Sequence, residues 1–142
     1  MIVLDTNVVS EVMNPKPSAQ VLSWMASCPQ ELLCITTITE AEILYGVELL
    51  PAGKRRAALQ ADIESMLKVE FAGRILPFDE QAARAFSRLA ARRRSSGRPI
   101  GDLDAQIAAI AFSRGASVAT RDVRDFEDCG VEVLNPWAGV QL

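Results

Sequence analysis

Short apolar runs alternate with longer segments of helical periodicity along this chain. The apolar runs predict five strands, over residues 2–5, 31–37, 74–78, 116–120 and 131–134. Between and around them, apolar positions three or four residues apart predict helices over 18–27, 39–50, 54–69, 79–96 and 102–115. Ser18 is the expected N-cap of the first predicted helix, and Gly115 is the expected stop of the last.

The predicted strands are apolar throughout rather than at every second residue. Strands of this kind, alternating with helices, are typical of a parallel sheet that helices cover on both faces. We therefore expect a three-layer α/β/α sandwich. The chain has 142 residues, of which 49% are apolar, and this is enough for one domain with a full core. We expect residues 1–142 to form that domain.

Acidic residues fall where a parallel sheet binds its ligands, beyond the carboxyl ends of the strands. Asp5 ends the first strand, and Asp122 follows the fourth. Glu42 lies in the opening turn of the helix after the second strand. Asp104 lies in the first turn of the helix that leads into the fourth strand, and because this helix runs antiparallel to that strand, it starts at the same edge. Four carboxylates from four segments are predicted to converge.

Three of these acids have an alternative structural explanation. Thr39 and Glu42 match the spacing of a capping box. Asp102 or Asp104 could cap its helix, and Asp122 could close a turn. The acid that ends the first strand has no such explanation, because a strand end followed by Thr and Asn needs no carboxylate.

Asp104 shares its helix face with the apolar residues Ile107, Ala108 and Ala111. A carboxylate on a buried face needs a partner, and a metal ion would be one. Several carboxylates in one cleft also repel each other unless a cation joins them.

The absence of histidine narrows the chemistry that this sequence can perform. It excludes Ser-His-Asp and Cys-His triads, histidine general bases and histidine-based zinc sites. An all-oxygen site suits Mg²⁺ or Mn²⁺ better than zinc. Such a site activates water and neutralises charge on a phosphate during in-line displacement.

The net charge gives no general attraction to nucleic acid. The formal charge is −3 and the pI is near 5.0, so such binding must come from local patches or from a metal. Basic residues cluster at 54–56, at 92–94 with Arg98, and at Arg121 with Arg124. We expect the first two clusters to be solvated helix faces. Arg121 is a candidate for a substrate phosphate contact, because it neighbours the acidic edge.

The remaining composition predicts a cytoplasmic protein without membrane contact. Cys28, Cys34 and Cys129 are widely spaced and odd in number, so we expect packing residues in a reducing compartment. No apolar run approaches the roughly 20 residues that span a bilayer. Met1 leads directly into a strand, which predicts no signal peptide. A mean hydropathy of +0.14 predicts that some apolar surface serves interfaces.

Four segments resemble the signature motifs of PIN-domain ribonucleases: MIVLDTNVVSEV, TTITEAEILYGV, DLDAQIAAIA and VATRDVRDF. They follow the family's order, and the resemblance covers essentially the whole chain. It is closest to the VapC toxins of bacterial toxin–antitoxin pairs. FAGRILPFDE and VLNPW are similar to the FitB-type branch of that group. The resemblance implies a parallel sheet of strand order 3-2-1-4-5 and a metal-dependent endoribonuclease.

Carried over to this chain, the family's acidic set falls on Asp5, Glu42, Asp104 and Asp122, and Thr120 matches a polar position beside them. On this basis we expect Asp5 and Asp104 to hold Mg²⁺, for which Mn²⁺ can substitute. Glu42 and Asp122 would complete the acidic ring and orient water. The resemblance also implies products with a 5′-phosphate and a 3′-hydroxyl. It further implies a homodimer and a cognate antitoxin that covers the site, often with an arginine, and that provides the DNA contacts.

Three other kinds of protein share part of this pattern. A phosphoaspartyl phosphatase also begins with an apolar strand ending in Asp, but it needs a second Asp where this chain has Asn7 and a lysine near the later acids. A receiver domain needs a lysine after the fifth strand, which this chain lacks. A non-catalytic module whose acids clasp a basic peptide stays open. Metal-dependent RNA cleavage would separate these alternatives from a nuclease.

Overall fold

A sheet of five parallel strands organises the part of the chain that the structure, a computed structural model, describes: residues 1–138. The strands are β1 (Ile2–Leu4), β2 (Leu33–Thr36), β3 (Ile75–Leu76), β4 (Ser117–Ala119) and β5 (Val133–Leu134). Their order is β3-β2-β1-β4-β5, which confirms the expected order. In the central strand, Val3 lies beside Cys34 of β2 and Val118 of β4.

Six α-helices connect these strands within the described residues. They are α1 (Thr6–Met13), α2 (Ala19–Ser27), α3 (Thr37–Glu48), α4 (Lys54–Ser65), α5 (Glu80–Ser95) and α6 (Asp102–Ser113). A π-helical segment, Met66–Glu70, continues α4, and short 3₁₀ turns lie at Gln30–Leu32, Val123–Phe126 and Pro136–Ala138. None of these helices is long and apolar enough to cross a membrane.

The core is divided by the sheet into two apolar layers. Val3, Cys34 and Val118 face a cluster that is completed by α5 and α6. Leu4 and Ala119, one residue further along β1 and β4, face a cluster that is completed by α1 to α4. This alternation is what a sheet covered on both faces requires, because successive side chains point to opposite faces. The three-layer arrangement is therefore confirmed.

Helix α1 was not expected from the hydrophobic pattern. Its first turn follows Asp5 directly, and the Asp5 side chain accepts a hydrogen bond from the backbone N–H of Thr6 as the N-cap. Val8 and Val9 are fully buried against the sheet. Two adjacent valines have low helix propensity and are equally consistent with an extended segment, so burial rather than propensity fixes this helix.

The alternative explanation of Glu42 as part of a capping box is wrong. Helix α3 begins at Thr37, two residues earlier than predicted. Its N-cap is Thr36, whose hydroxyl oxygen accepts a hydrogen bond from the N–H of Thr39 at 3.1 Å. Glu42 therefore lies in the second turn, where it has no capping role.

The alternative explanation of Asp102 and Asp104 as helix caps is also wrong. Helix α6 has Gly101 at its N-cap position, and no side chain makes a capping hydrogen bond there. At the other predicted caps the sequence was a reliable guide. The Ser18 hydroxyl accepts from the N–H of Val21, and Gly115 has the left-handed φ of 63° that ends α6.

The two buried cysteines and the basic cluster at 54–56 follow expectation. The three cysteines are free, with Cys34 and Cys129 buried and Cys28 partly exposed. Arg56 forms a surface ion pair with Glu48 at 2.8 Å.

Arg93 contradicts the prediction of a solvated helix face. Its side chain is buried, and its guanidinium donates to three backbone carbonyls, those of Arg98 at 2.7 Å, Asp125 at 2.9 Å and Glu127 at 2.8 Å. It forms no ion pair within residues 1–138. Arg93 therefore ties the end of α5 to the loop that follows β4.

We predict that Arg93→Ala lowers the free energy of unfolding by about 2–4 kcal/mol, because it leaves buried carbonyls without their charged donor. The measurement is chemical denaturation of both proteins. Arg94→Ala is the matched control: Arg94 is exposed on the same helix, so the change should stay within about 0.5 kcal/mol. Equal effects of the two substitutions would contradict the assigned role.

Candidate active site

The four predicted acids line one cavity at the carboxyl edge of the sheet. Its volume is about 500 Å³, and its walls include Asp5, Glu42, Asp104 and Asp122. Parallel topology explains the convergence, since the ends of β1 and β4 and the starts of α3 and α6 all lie at this edge. The structure thus brings together all four residues that the sequence singled out. Asp102, the extra acid of α6, is exposed and does not line this cavity.

Asp5 is the most buried of the four acids, with 5% of its surface exposed. One carboxylate oxygen accepts from the N–H of Thr6 and the other from the hydroxyl of Thr120, both at 2.8 Å. Burial raises the pKa of Asp5, and the charges of Glu42 and Asp122 add to this effect, whereas the two hydrogen bonds oppose it. The carboxylate is therefore held in one orientation in an environment that disfavours its charge.

Glu42 is positioned by two threonines. The hydroxyl of Thr6 lies 2.9 Å from a carboxylate oxygen of Glu42 and 2.9 Å from the hydroxyl of Thr39. Because an ionised carboxylate only accepts, Thr6 donates to Glu42, and Thr39 must then donate to Thr6. This chain of hydrogen bonds joins α1 to α3 at the mouth of the cavity.

Asp122 is positioned by Asn7 and Thr120. The amide nitrogen of Asn7 donates to Asp122 at 3.1 Å and to the hydroxyl of Thr120 at 3.3 Å. The Thr120 oxygen also accepts the backbone N–H of Asp122 at 3.0 Å while it donates to Asp5. Asp122 does begin a turn, as its alternative explanation proposed. The turn is closed by the backbone carbonyl of Asp122, which accepts from the N–H of Asp125. Its side chain is left to face the cavity.

Asp104 differs from the other three acids in its lack of hydrogen-bond donors. Within residues 1–138, no protein group donates to its carboxylate. Burial raises its pKa from an ordinary value of 3.8 to about 6, and the negative charges of Asp5, Asp125, Glu42 and Asp122 contribute further. Asp104 is therefore the acid whose charge is least compensated by the protein.

The donor chemistry of this cavity fits a hard divalent cation. Its candidate ligands are carboxylate oxygens, which Mg²⁺ and Mn²⁺ prefer. Within the described residues, no three His, Cys, Asp or Glu side chains already close around a single point. Burial first, and then repulsion by the neighbouring carboxylates, raises the pKa of Asp104, and a cation between these carboxylates relieves that repulsion.

Several residues at the cavity were not assigned a role from the sequence. Thr6 and Asn7 follow Asp5 directly, so the signal for them was the polar pair that interrupts an apolar run. Trp137 lines the same cavity, and the guanidinium of Arg121 lies 5.3 Å from the centroid of its ring. Arg121 was predicted to lie at this edge, whereas nothing in the sequence indicated that Trp137 would return to it.

Comparison with known proteins identifies the family. The profile of the PIN domain matches residues 2–131. The chain belongs to the PIN-domain family. Among its relatives, it is 44% identical to the VapC ribonuclease Y4jK of Sinorhizobium fredii over 137 residues, which is 96% of this chain and 98% of that protein.

Two further matches place this PIN domain among the toxins. Toxin FitB of Neisseria gonorrhoeae is 41% identical, and the match covers 96% of this chain and 99% of that protein. A solved structure of FitAB bound to an IR36 DNA fragment contains a chain that superposes with a TM-score of 0.93 at 39% identity, covering 100% of this chain and 99% of the other. The predicted relationship to VapC toxins of the FitB type is confirmed.

We predict that the uncompensated charge of Asp104 makes the metal-free protein less stable as the pH rises. Between about pH 4 and pH 6 the folded chain keeps a proton on Asp104 that the unfolded chain has lost, because the folded pKa is about 6 and the ordinary value is 3.8. The free energy of unfolding therefore falls with rising pH across this window. Chemical denaturation in the presence of a chelator, at a series of pH values, measures this slope.

Asp104→Asn removes the titrating group, so its slope across the same window should be smaller. Asp102→Asn is the control, since Asp102 is exposed in the same first turn of α6 and should leave the slope unchanged. If Asp104→Asn and the parent protein give the same slope, Asp104 does not carry the uncompensated charge.

Proposed function

We propose that this chain is the toxin of a toxin–antitoxin pair and that it hydrolyses phosphodiester bonds of RNA at the acidic cavity. The observation that carries this proposal is the convergence of Asp5, Glu42, Asp104 and Asp122 on one cavity in a PIN domain. The relatives' names, among them a VapC ribonuclease and a FitB toxin, support the reaction and the biological role.

In this proposal Asp5 and Asp104 hold a divalent cation, Mg²⁺ or Mn²⁺. When bound, the cation lowers the pKa of water and offsets the charge that develops on the phosphate. Asp5 suits this task because Thr120 and the N–H of Thr6 fix the direction of its oxygens. Asp104 suits it because its carboxylate accepts no hydrogen bond from residues 1–138 and its raised pKa favours a positive partner.

Glu42 and Asp122 complete the acidic ring and orient the attacking water. Each is held by one neighbouring side chain, Thr6 for Glu42 and Asn7 for Asp122, so each can accept a proton or a water hydrogen from a fixed position. With no histidine in the chain, these carboxylates are the bases that the cavity offers. Arg121, on the rim, contacts a substrate phosphate. The products carry a 5′-phosphate and a 3′-hydroxyl.

We also propose an antitoxin partner, a homodimer and a cytoplasmic location for this chain. A cognate antitoxin covers the cavity, and the DNA contacts of the complex belong to the antitoxin rather than to this chain. The solved FitAB structure with DNA supports such an assembly. Exposed apolar side chains, such as Leu22 on α2 and Leu49 directly after α3, offer surface for a homodimer. The free cysteines are consistent with the reducing cytoplasm.

We predict that Asp5→Asn lowers RNA cleavage by at least about 100-fold, because it removes the charge of a metal ligand. Loss of a residue that only orients such a ligand already costs about 10- to 100-fold. Asn keeps the size of the side chain and is itself a good N-cap, so α1 should stay folded. Cleavage of single-stranded RNA with Mg²⁺ or Mn²⁺, and with a chelator, is the measurement. Asp102→Asn carries the same charge change outside the cavity and should retain activity.

Thermal melting gives a readout that does not depend on activity. Added Mg²⁺ or Mn²⁺ should raise the melting temperature of the parent and of Asp102→Asn through binding to the folded state. The shift should be smaller in Asp5→Asn. Full cleavage by Asp5→Asn, or a metal response equal to that of Asp102→Asn, would refute the assignment of Asp5.

We also predict that an arginine of the antitoxin inhibits by entering the cavity. A guanidinium pairs bidentately with carboxylates, and Asp104 offers one without a donor in the described chain. The chain is co-expressed with the product of the neighbouring gene, and that product's arginines are replaced one at a time. One replacement should restore RNA cleavage while the complex persists. If none does, inhibition works through another contact.

A further inference from the structure

The rim of the acidic cavity carries one aromatic side chain next to one cation. Trp137 and Arg121 both line the cavity, and the guanidinium lies 5.3 Å from the centre of the indole ring. We call these two residues the rim pair. The cavity's other charged walls are acidic: Asp5, Glu11, Glu42, Asp104 and Asp122.

Trp137 is held firmly yet is not fully covered. It lies in the 3₁₀ turn after β5, where its backbone N–H donates to the side-chain oxygen of Asn135 at 3.0 Å. It packs against the apolar cluster that includes Trp24 of α2. It remains partly exposed at the cavity. The guanidinium of Arg121 lies over the ring, so a nucleobase can stack on the exposed part of the indole when this guanidinium turns to a phosphate.

Arg121 is placed to reach a phosphate. Its side chain is exposed and forms no ion pair with an acid among residues 1–138, although Asp122 is its neighbour. Its backbone N–H donates to the side-chain oxygen of Asn7, which fixes where the side chain leaves the main chain. The guanidinium therefore keeps hydrogen-bond donors for an incoming anion.

RNA faces repulsion at this cavity, because among residues 1–138 five acids and a single arginine line it. Stacking of a nucleobase on an aromatic ring does not depend on charge and is worth a large part of single-strand affinity. Bases in a duplex are stacked on each other and do not present their faces, whereas unpaired bases do. A stacking surface beside the acids therefore selects unpaired RNA.

Building on the proposed nuclease function, we propose that the rim pair binds one unpaired nucleotide next to the scissile bond, with its base stacked on Trp137 and a phosphate on Arg121. The rim pair contributes to binding and to the choice of substrate, while the four acids carry the chemistry.

The test uses binding without cleavage, in the full-length Asp5→Asn protein with a chelator present. The probe is a short fluorescein-labelled single-stranded RNA, and fluorescence anisotropy gives its dissociation constant. Trp137→Leu and Trp137→Phe form a matched pair, because both keep an apolar side chain but only Phe keeps an aromatic face. We expect about tenfold weaker binding for Leu and less than about threefold for Phe.

Arg121→Ala should weaken binding and reduce its dependence on salt. Arg124→Ala is the matched control, since Arg124 is exposed in the same loop but does not line the cavity. Melting temperatures of all variants show that they are folded.

A second measurement locates the stacked base. Copies of the probe, each with one ribose that lacks its base, are compared. Loss of the base next to the scissile bond should weaken binding to the protein that keeps Trp137. The same loss should have no further effect in Trp137→Leu. RNA should also quench the emission of Trp137. In Trp137→Leu the remaining emission comes from the buried Trp24, the other tryptophan of the sequence, and should not respond.

The outcomes separate this inference from the proposed function. Cleavage of the same RNA by the unsubstituted protein with Mn²⁺ is measured in parallel. If that cleavage occurs but Trp137→Leu binds as tightly as its parent, or Phe loses as much affinity as Leu, the rim-pair inference is wrong and the nuclease function stands. If the unsubstituted protein does not cleave RNA, the proposed function fails, and the inference that builds on it fails as well.

Discussion

The burial of an acidic side chain beside other carboxylates is the constraint on which the rest of this site depends. Asp5 is 95% removed from solvent by its place between β1 and α1, and its pKa is raised for that reason first. Holding it there requires compensating donors, which the chain supplies as the Thr6 N–H and the Thr120 hydroxyl. No such donor reaches Asp104 from the described residues. The free-energy cost of its charge is therefore offset by a cation or by the antitoxin.

The fold and the site share their hydrogen bonds. The hydroxyl of Thr6 joins α1 to α3 through Glu42, and the side-chain amide of Asn7 joins α1 to the loop after β4 through Asp122. Arg93 holds the far end of that loop from α5, at the carbonyls of Asp125 and Glu127. Fixed loops keep side chains within the narrow range of geometry that catalysis needs. Stability and positioning are thus served by the same contacts.

The sequence was most informative where burial and topology act together. Apolar strands ending in polar residues predicted the sheet and the edge at which Asp5 and Asp122 meet, because parallel strands bring their ends together whatever the loops do. Local preference failed for α1, where tertiary burial of two valines overrides their propensity. It also failed for Arg93, since a charge run does not reveal which member turns inward to bind carbonyls. Trp137 could not be placed, because its position follows from how a turn after β5 packs on α2.

The pairing of β1 with β4 has a consequence for how the protein is made. The first strand is the centre of the sheet, yet one of its two neighbours is more than a hundred residues away along the chain, as is Thr120, the donor to Asp5 at a separation of 115 residues. A nascent chain emerging from the ribosome therefore cannot assemble the acidic cavity until β4 and the loop after it have been synthesised. Translation that stops early releases fragments without the complete set of acids. A cell that produces this chain is exposed to its active form only after Thr120 and Asp122 have left the ribosome.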